Sequence, residues 1–414
     1  MPGAAAGMTA GLASWCEIDA GALQANVAQL RAGLRPATLL GIAVKSNAYG
    51  HGLVPCARLF VAAGADWLVV HAVGEATRLR AAGIRAPVYV CGRIRPAQAE
   101  EVVRADARVV VSGSEDVEAL GAAARATGRR VCVHLKLETG MHRQGVNLDE
   151  ALTLASHVQR HPSLVLEGLA THLADMADEG DHALGRQQLE LLQAGALALA
   201  RAGFAVPVVH GANSAAALLW PESHHQLVRV GIAAYGLWPS AAVRAAVLAR
   251  AAVQPLHPAP VLTPALSWRA RLSQVKSVPA GAHVGYGCTY RTERPCRIAV
   301  LPVGYYEGFD RRLSNVGQVL VAGRRAAVRG RVCMNLSMVD VTDIPAAEGA
   351  VATLLGRDGD QAVTADDWAE WMGTINYEVV ARIHPDQPRL VRLPDGRLVA
   401  GDDALLAAPR CLPS

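Results

Sequence analysis

The feature that most restricts the fold is a regular alternation of short apolar runs with helix-like segments through the first 254 residues. Eight runs rich in Val, Ile, Leu and Ala lie at 39–44, 67–72, 87–92, 107–112, 131–137, 164–172, 206–211 and 226–236. Most of the segments between them carry apolar residues at the spacing of an amphipathic helix. This pattern predicts a (β/α)₈ barrel of the TIM type, with an open doubly wound sheet as the alternative.

The sequence changes character after about residue 255. A proline-rich stretch is followed by short alternating runs with many Gly, Pro and Arg residues, which predict a mostly antiparallel C-terminal β domain at 255–414. We expect a flexible N-terminal tail at 1–14 and the barrel at 15–254. The run SWCEID, which begins at Ser14, is a candidate first strand for the C-terminal domain.

Composition excludes several classes of partner. The 414 residues are 51% hydrophobic and carry a net charge of +4 without long basic runs, so neither nucleic acid nor a membrane surface is expected as a partner. No apolar run is long enough to span a bilayer, and the N-terminus does not resemble a secretory signal. The eight cysteines show no close C-x-x-C pair, so we expect reduced thiols in a cytoplasmic protein and no metal site.

Polar residues follow the ends of several predicted strands. Lys45 ends the first, at the start of the loop KSNAYGHG. Other strand ends are followed by Lys136 with Arg143, by His172, by Asn213 with Ser214, and by Arg229 with Gly231. A single lysine at a strand end is usually a surface residue. Several such groups at the carboxyl ends of barrel strands instead predict a functional site at one mouth of the barrel.

These residues lie in motifs that resemble those of bacterial alanine racemases. The motifs are AVKSNAYGHG, LKLETGMHRQGV, EGLATHLADMADE, HGANSAA, VRVGIAAYGLWPS, VGYGCTY, LPVGYYEGFDRRLSN, GRVCMNLSMVDVT and GTINYEVVARI, in the family's order from about residue 15 to about 390. The resemblance implies a pyridoxal 5′-phosphate enzyme of fold type III that interconverts L- and D-alanine, a precursor of peptidoglycan. It also implies a homodimer whose active sites use residues of both subunits.

The resemblance assigns the proton carriers. Lys45 is expected to condense with the cofactor's aldehyde and then to act as general base on one face of the substrate's α-carbon. Tyr286 of the partner subunit is expected on the opposite face. A phenol is mostly protonated at neutral pH, so its phenolate needs stabilising neighbours, and His172 and Arg229 resemble that chain. Arg229 is further expected to lie against the ring nitrogen and to leave it unprotonated.

The remaining family positions hold the cofactor and the substrate. The phosphate is expected at Asn213, Ser214, Gly231 and Ile232, after the seventh and eighth barrel strands, together with Tyr49 and Tyr377. The substrate carboxylate is expected at Arg143 and at the backbone N–H of Met334 of the partner subunit. Tyr305 and Tyr377 resemble the tyrosines that narrow the access path. Lys136 corresponds to a lysine that many members carry as a carbamate.

Three departures from the family pattern leave alternatives open. Asn335 follows Met334 where an aspartate is usual, Glu307 stands in GYYEG where an aspartate is common, and ARIHPDQPRL lacks one of the usual arginines. These changes make serine, or a broader set of small amino acids, an alternative to alanine. Two other classes remain: a pyridoxal-phosphate carrier, which lacks the C-terminal domain, and a basic amino-acid decarboxylase, to which Cys333 is a weak pointer.

Overall fold

The structure is a computed structural model that describes residues 7–176, 180–253 and 259–401. The chain divides into two compact units. The barrel unit contains Leu23–Ser46 and Cys56–Thr263, and the β unit contains the N-terminal residues through Ala22, Asn47–Pro55 and the chain from Pro264 onward. The predicted domain boundary, between residues 254 and 255, lies in the segment 254–258, which is outside the described residues. Residues 1–6 of the predicted tail are also outside them.

The N-terminal region is more structured than the expected tail. Residues 7–9 form a helical turn, and β1 (Ser14–Asp19) and α1 (Ala20–Ala32) follow. The side chain of Arg271 donates to the carbonyl and hydroxyl oxygens of Thr9, both at 3.2 Å. Within the predicted tail, residues 7–14 therefore include a helical turn, a hydrogen-bonded contact to Arg271 and the start of β1.

The barrel unit contains eight parallel strands. They are β2 (Leu39–Ala43), β3 (Trp67–Val70), β4 (Val88–Val90), β5 (Ala107–Val111), β6 (Val131–Lys136), β7 (Leu164–Ala170), β8 (Val208–His210) and β9 (Leu227–Val230). Each strand pairs with the next from β2 to β8, and β9 pairs with β2. Strands β3 and β4 are buried at every position, as parallel strands covered on both faces must be.

The sheet closes into a barrel rather than remaining open. The pairing of β9 with β2 joins the last strand to the first. Between β8 and β9, Gln226 donates its backbone N–H to Val209 at 3.3 Å, and Arg229 donates to Ala212 at 3.0 Å. The predicted barrel is thus confirmed as a nearly closed ring, and the open-sheet alternative is wrong.

Helices connect the strands. They are α2 (Leu53–Ala62), α3 (Val73–Ala81), α4 (Ala99–Arg104), α5 (Ser114–Thr127), α6 (Leu148–Gln159), α7 (Ala183–Arg201), α8 (Ser214–Leu219) and α9 (Ala241–Val253). Helix α6 begins with a capping box in which Asn147 and Glu150 satisfy each other's backbone N–H. None of the helices in the described ranges is long and apolar enough to cross a bilayer.

The β unit is mostly antiparallel, as predicted. Its further elements are β10 (Leu266–Arg271), β11 (Gln274–Val278), β12 (His283–Val284), β13 (Tyr290–Arg291), β14 (Cys296–Leu301), β15 (Gln318–Val321), β16 (Arg324–Ala327), β17 (Ser337–Asp340), β18 (Val351–Asp358), β19 (Gln361–Val363), α10 (Ala365–Met372), α11 (Asn376–Ala381), β20 (Arg389–Arg392) and β21 (Leu398–Ala400). Strand β1 lies in its main sheet, antiparallel to β10 and parallel to β20. A buried cluster of Trp268, Phe309 and Trp368 forms part of its core.

Gly168 in β7 is a position where only glycine fits. A Cβ added there would lie 1.9 Å from Nδ1 of His134 in the neighbouring strand β6. We expect Gly168→Ala to lower the free energy of unfolding by about 3 kcal/mol, because the buried imidazole has to move. Denaturant unfolding measures this loss. Gly74→Ala in α3 is the matched control, since an added Cβ there meets nothing within 4 Å; an equal loss in both variants would contradict the steric argument.

Candidate functional site

Lys45 lies just beyond the end of β2, on a backbone segment with an unusual conformation. The four residues that follow it have positive φ, namely 56° at Ser46, 54° at Asn47, 54° at Ala48 and 52° at Tyr49. A left-handed helical residue other than glycine costs about 1–2 kcal/mol. Strain of this kind persists only where surrounding contacts impose it, and it concentrates at functional sites.

Specific hydrogen bonds hold the left-handed turn. On the barrel side, Ser46 donates its backbone N–H to Glu75 Oε1 at 2.6 Å, while the other carboxylate oxygen accepts from His71 and Ala72 at 2.8 and 3.1 Å. In the β unit, Arg389 donates to the carbonyl oxygen of Gly50 at 2.9 and 3.1 Å. These bonds fix the backbone from which the Lys45 side chain extends.

Asn47 and Gly50 complete the turn. Asn47 Oδ1 accepts from the backbone N–H of Leu53 at 3.0 Å, so the side chain begins the helix that follows. Gly50 has a φ of 81°, and a Cβ at this position would lie 1.8 Å from the carbonyl oxygen of Val380. The conformation of the KSNAYGHG loop is therefore set by side-chain bonds and by close backbone packing at a glycine.

Arg229 in β9 is held by the last residue of β8 and by groups that follow β7. Its Nη1 donates to Nδ1 of His210, and its Nη2 donates to the carbonyl oxygen of Thr171 at 2.7 Å and toward Nδ1 of His172 at 3.4 Å. A guanidinium can only donate, so both imidazoles accept at Nδ1 and carry their proton on Nε2. Burial, followed by the charge of Arg229, holds the pKa of both His172 and His210 well below the usual value.

The positive charges of Lys45, Lys136 and Arg143 act on the groups around Arg229 and His172. Burial and then the charge of Arg229 lower the pKa of Lys136 to about 8, and the charge of Arg143 adds to the effect. Arg143, Lys136 and Lys45 also contribute to the low pKa of His172. The predicted barrel residues Lys45, Lys136, Arg143, His172 and Arg229 are therefore close enough to influence one another, as convergence at one mouth requires.

Lys136 should react with carbon dioxide. With its pKa lowered to about 8, Lys136 is a partly uncharged amine near pH 8, whereas an ordinary lysine is almost fully protonated there. That amine attacks carbon dioxide, releases a proton and becomes an anion, which removes the repulsion with Arg229 and Arg143. We expect a carbamate resonance in ¹³C NMR after addition of ¹³C-bicarbonate at pH 8. The chain has three lysines, Lys45, Lys136 and Lys276; a resonance that survives in Lys136→Met would contradict the assignment.

Asn213, Ser214 and Gly231 form a polar cradle. Asn213 caps α8 through its Oδ1, which accepts from Ala216 at 3.0 Å. The buried Ser214 Oγ accepts the backbone N–H of Gly231 at 2.9 Å and that of Ala233 at 3.5 Å. A hydroxyl has two acceptor positions and one donor, so these bonds leave the O–H to donate to an anion. The buried Ile232 lies between the two N–H groups in sequence.

Tyr49 and Tyr377 form a pair within the β unit. Their ring centroids are 6.2 Å apart, with the planes tilted by 49°. Burial, followed by the negative charge that Tyr49 would carry if ionised, raises the pKa of Tyr377 above its usual value. Tyr377 therefore stays a neutral phenol that can donate to an anion.

Tyr286, Tyr305 and Met334 lie on exposed loops of the β unit. Their exposed fractions are 74%, 43% and 56%, which are high for such side chains. The loops of Tyr305 and Met334 are joined, because the backbone N–H of Tyr305 donates to the carbonyl of Cys333 at 3.0 Å and that of Tyr306 donates to Met334 at 2.9 Å. The exposed apolar and aromatic side chains are therefore the same residues that the sequence predicts at a partner subunit or at the access path.

Two departures from the family pattern form one hydrogen bond. Asn335 Nδ2 donates to Glu307 Oε1 at 2.7 Å, and the other oxygen of Glu307 accepts from the backbone N–H of Gly304 at 2.8 Å. An aspartate at 335 would place a second carboxylate against Glu307, whereas the amide donates to it. The two changes therefore compensate each other locally, and one negative charge remains.

Sequence reasoning missed Glu75, His210 and Arg389. Glu75 was part of a helical segment, and a glutamate near a helix start is a recognisable capping signal. His210 stands in the quoted motif HGANSAA but was not assigned a role. Arg389 belongs to the segment ARIHPDQPRL, which lacks one of the family's usual arginines, and only its long-range bond to Gly50 reveals its function.

Comparison with known proteins agrees with this architecture. The alanine racemase N-terminal domain matches residues 18–239, and the alanine racemase C-terminal domain matches residues 265–391. An alanine racemase of Symbiobacterium thermophilum is 42% identical over 377 residues, covering 91% of this chain and 96% of the relative.

Solved structures give the same result. The crystal structure of alanine racemase from the D-cycloserine-producing Streptomyces lavendulae superposes with a TM-score of 0.83 at 38% identity, covering 91% of this chain and 96% of that one. The alanine racemase from Streptomyces coelicolor A3(2) gives a TM-score of 0.84 at 36% identity, covering 93% and 99%. The chain therefore belongs to the alanine racemase family.

Proposed function

We propose that this protein is an alanine racemase that interconverts L- and D-alanine with pyridoxal 5′-phosphate as cofactor. Family membership over nearly the whole chain supports the activity and the cofactor. The observation that carries the proposal is Arg229, fixed between the carbonyl of Thr171 and two neutral imidazoles, in the same electrostatic neighbourhood as Lys45. That arrangement suits a ring nitrogen that must not be protonated.

The donor groups of the chain fit this cofactor. Lys45 offers an amine, Arg229 offers a donor to a ring nitrogen, and the hydroxyl of Ser214 is directed to an anion by its two accepted N–H bonds. Tyr49 and Tyr377 add phenols that suit a phosphate. Asn213, Gly231 and Ile232 shape the backbone around Ser214. When bound, pyridoxal 5′-phosphate supplies an aldehyde and a conjugated ring that takes up negative charge from the α-carbon.

Racemisation then requires proton carriers on both faces of the α-carbon. The Lys45 amine takes or returns a proton on one face. The hydroxyl of Tyr286 of the partner subunit does so on the other, and a neutral His172, whose proton lies on Nε2, can donate to its phenolate. Arg229 holds His172 in that tautomer and cannot readily give up its own proton.

Substrate selection follows from charge and size. The guanidinium of Arg143 suits the substrate carboxylate, helped by the backbone N–H of Met334 of the partner subunit. Tyr305 and Tyr377 restrict the space at the β-carbon, which favours alanine. The relatives that this chain matches are alanine racemases, which supports alanine over serine or a broader set of substrates.

We further propose a homodimer with shared active sites. Tyr286, Met334 and Leu336 are 74%, 56% and 45% exposed in the single chain, and a partner would cover them. A site that uses Tyr286 of one subunit and Lys45 of the other requires two-fold pairing. A cytoplasmic location is supported by free thiols in the described part of the chain, among them Cys16, Cys91, Cys132, Cys288, Cys296 and Cys333.

The proposal is tested by solvent-deuterium exchange at the α-carbon. L-alanine and L-serine are incubated separately in deuterated buffer with the protein and added pyridoxal phosphate, and the chirality of each product is recorded. We expect rapid deuterium uptake with loss of chirality on alanine and slow uptake on serine. Faster exchange on serine would assign a different small-amino-acid racemase. Absence of exchange on both would reject racemase function.

A further inference from the structure

A continuous line of hydrogen bonds runs from Arg229 into the barrel interior. Arg229 Nη1 donates to His210 Nδ1. His210 Nε2 lies 2.8 Å from His134 Nδ1, and His134 Nε2 lies 3.0 Å from Glu167 Oε2. All four residues belong to barrel strands, and both imidazoles are fully buried. The reaction described above uses Arg229 but gives no role to His134 or Glu167.

The two ends of this line determine the direction of every bond. A guanidinium has no acceptor, and an ionised carboxylate has no donor. His210 must therefore accept at Nδ1 and donate from Nε2, and His134 must do the same. Both imidazoles are then neutral and carry their proton on Nε2. Any other tautomer would bring two donors or two acceptors face to face.

The neighbouring barrel strands make room for the two imidazoles and pack tightly against them. Strand β6 shifts register against β7 between Val133 and His134, so that His134 lies opposite Gly168, where no side chain fits. The buried Tyr89 packs against both imidazoles, with ring centroids 4.8 Å from His134 and 5.3 Å from His210. Such packing prevents either ring from turning to exchange its nitrogens.

An ion pair with Arg108 keeps Glu167 charged. Nε of Arg108 lies 2.8 Å from Glu167 Oε2, and its guanidinium stacks over Trp67 at 4.7 Å from the ring centroid. Although burial opposes ionisation, the hydrogen bond from His134 and the charge of Arg108 hold the pKa of Glu167 below its usual value. The acceptor end of the line is therefore an anion at neutral pH.

We infer that Glu167 is a positioning residue of the racemase: through His134 it fixes the tautomer of His210, and so it holds Arg229 in one orientation at the barrel mouth. If His210 carried its proton on Nδ1, that N–H would face an N–H of Arg229 and displace the guanidinium. The inference rests on the proposed function only in the role of Arg229 toward the cofactor ring. The tautomers themselves are a property of the protein without cofactor.

The first test uses wild-type protein without cofactor, labelled with ¹⁵N at histidine. Long-range ¹H–¹⁵N spectra at pH 7 distinguish the two neutral tautomers and the charged form. Signals of His134 and His210 are assigned by their loss in His134→Gln and His210→Gln. We expect both rings to be neutral with the proton on Nε2. A proton on Nδ1 of either ring would overturn the inference, whether or not the protein racemises alanine.

The second test compares three variants. Glu167→Leu removes the acceptor, and we expect kcat to fall about 10-fold, by analogy with partners that orient metal-binding histidines, with little change in KM. Glu167→Gln keeps a carbonyl oxygen for His134 and should recover most of the loss. Glu118→Gln is the control, because Glu118 pairs with His161 at 3.2 Å outside this line; we expect it to behave as wild type.

The ¹⁵N signals separate positioning from a general structural effect. In Glu167→Leu without cofactor, we expect the His210 signals to shift toward the other tautomer, and in Glu167→Gln to stay near wild type. Loss of activity in Glu167→Leu with unchanged His210 signals would overturn the inference. If Glu167→Leu does not fold, the inference is decided by the tautomers of the wild type and by the kcat, KM and His210 signals of Glu167→Gln. Failure of the racemase assignment would instead appear as inactivity of the wild type.

Discussion

A subunit with Lys45→Ala and a subunit with Tyr286→Phe should restore racemisation when they are paired in one dimer, although neither homodimer is active. In the mixed dimer, one site combines Lys45 of the second subunit with Tyr286 of the first and is complete, whereas the other site lacks both groups. We expect a purified heterodimer to reach about half of the wild-type turnover, because one of two sites is intact. The exposed position of Tyr286 on a single chain is the structural basis.

The experiment requires co-expression of the two variants with different affinity tags and tandem purification. The matched control pairs Lys45→Ala with His172→Ala. Both of these residues lie in the barrel unit of one chain. Each site of that heterodimer therefore lacks either Lys45 or His172 and should stay inactive. A Lys45→Ala/Tyr286→Phe heterodimer without activity would show that each site is built from one chain and would contradict the shared-site proposal.

The barrel could be predicted because its signal is local. Buried parallel strands are continuous apolar runs, and each predicted run contains one observed strand, although the strands are shorter, with Val88–Val90 and Val208–His210 three residues each. The placement of polar residues at strand ends follows from the barrel itself. The sequence therefore predicts which barrel residues gather at the mouth, such as Lys45 and Arg229.

The finer structure of the site could not be predicted because it depends on distant residues. Four consecutive left-handed residues after Lys45 oppose the local preference of the chain, and they are held by Glu75 and Arg389. His134 and His210 are 76 residues apart and meet only in the folded barrel. In the sequence Asn335 and Glu307 are two separate departures from the family pattern, and only their hydrogen bond shows that they compensate.

Tyr286→Phe alone should separate proton exchange from inversion. The substitution removes the hydroxyl and keeps the ring, so the surface that it contributes is retained. We expect racemisation to fall about 1,000-fold, within the usual contribution of a general acid or base. Lys45 should still exchange the α-proton of one enantiomer with solvent, because its amine serves one face of the α-carbon independently.

The measurement follows deuterium uptake into L-alanine and D-alanine separately, with chiral analysis of the recovered amino acid. Tyr290→Phe is the matched control, because Tyr290 packs on Arg329 at 4.8 Å in the same unit and has no proposed role at the α-carbon; it should racemise as wild type does. Uptake into one enantiomer without inversion establishes two carriers on opposite faces. If Tyr286→Phe instead loses exchange from both enantiomers equally, Lys45 is not an independent base. Full racemisation in that variant would mean that a single group serves both faces, since the lost hydroxyl would then have carried no proton.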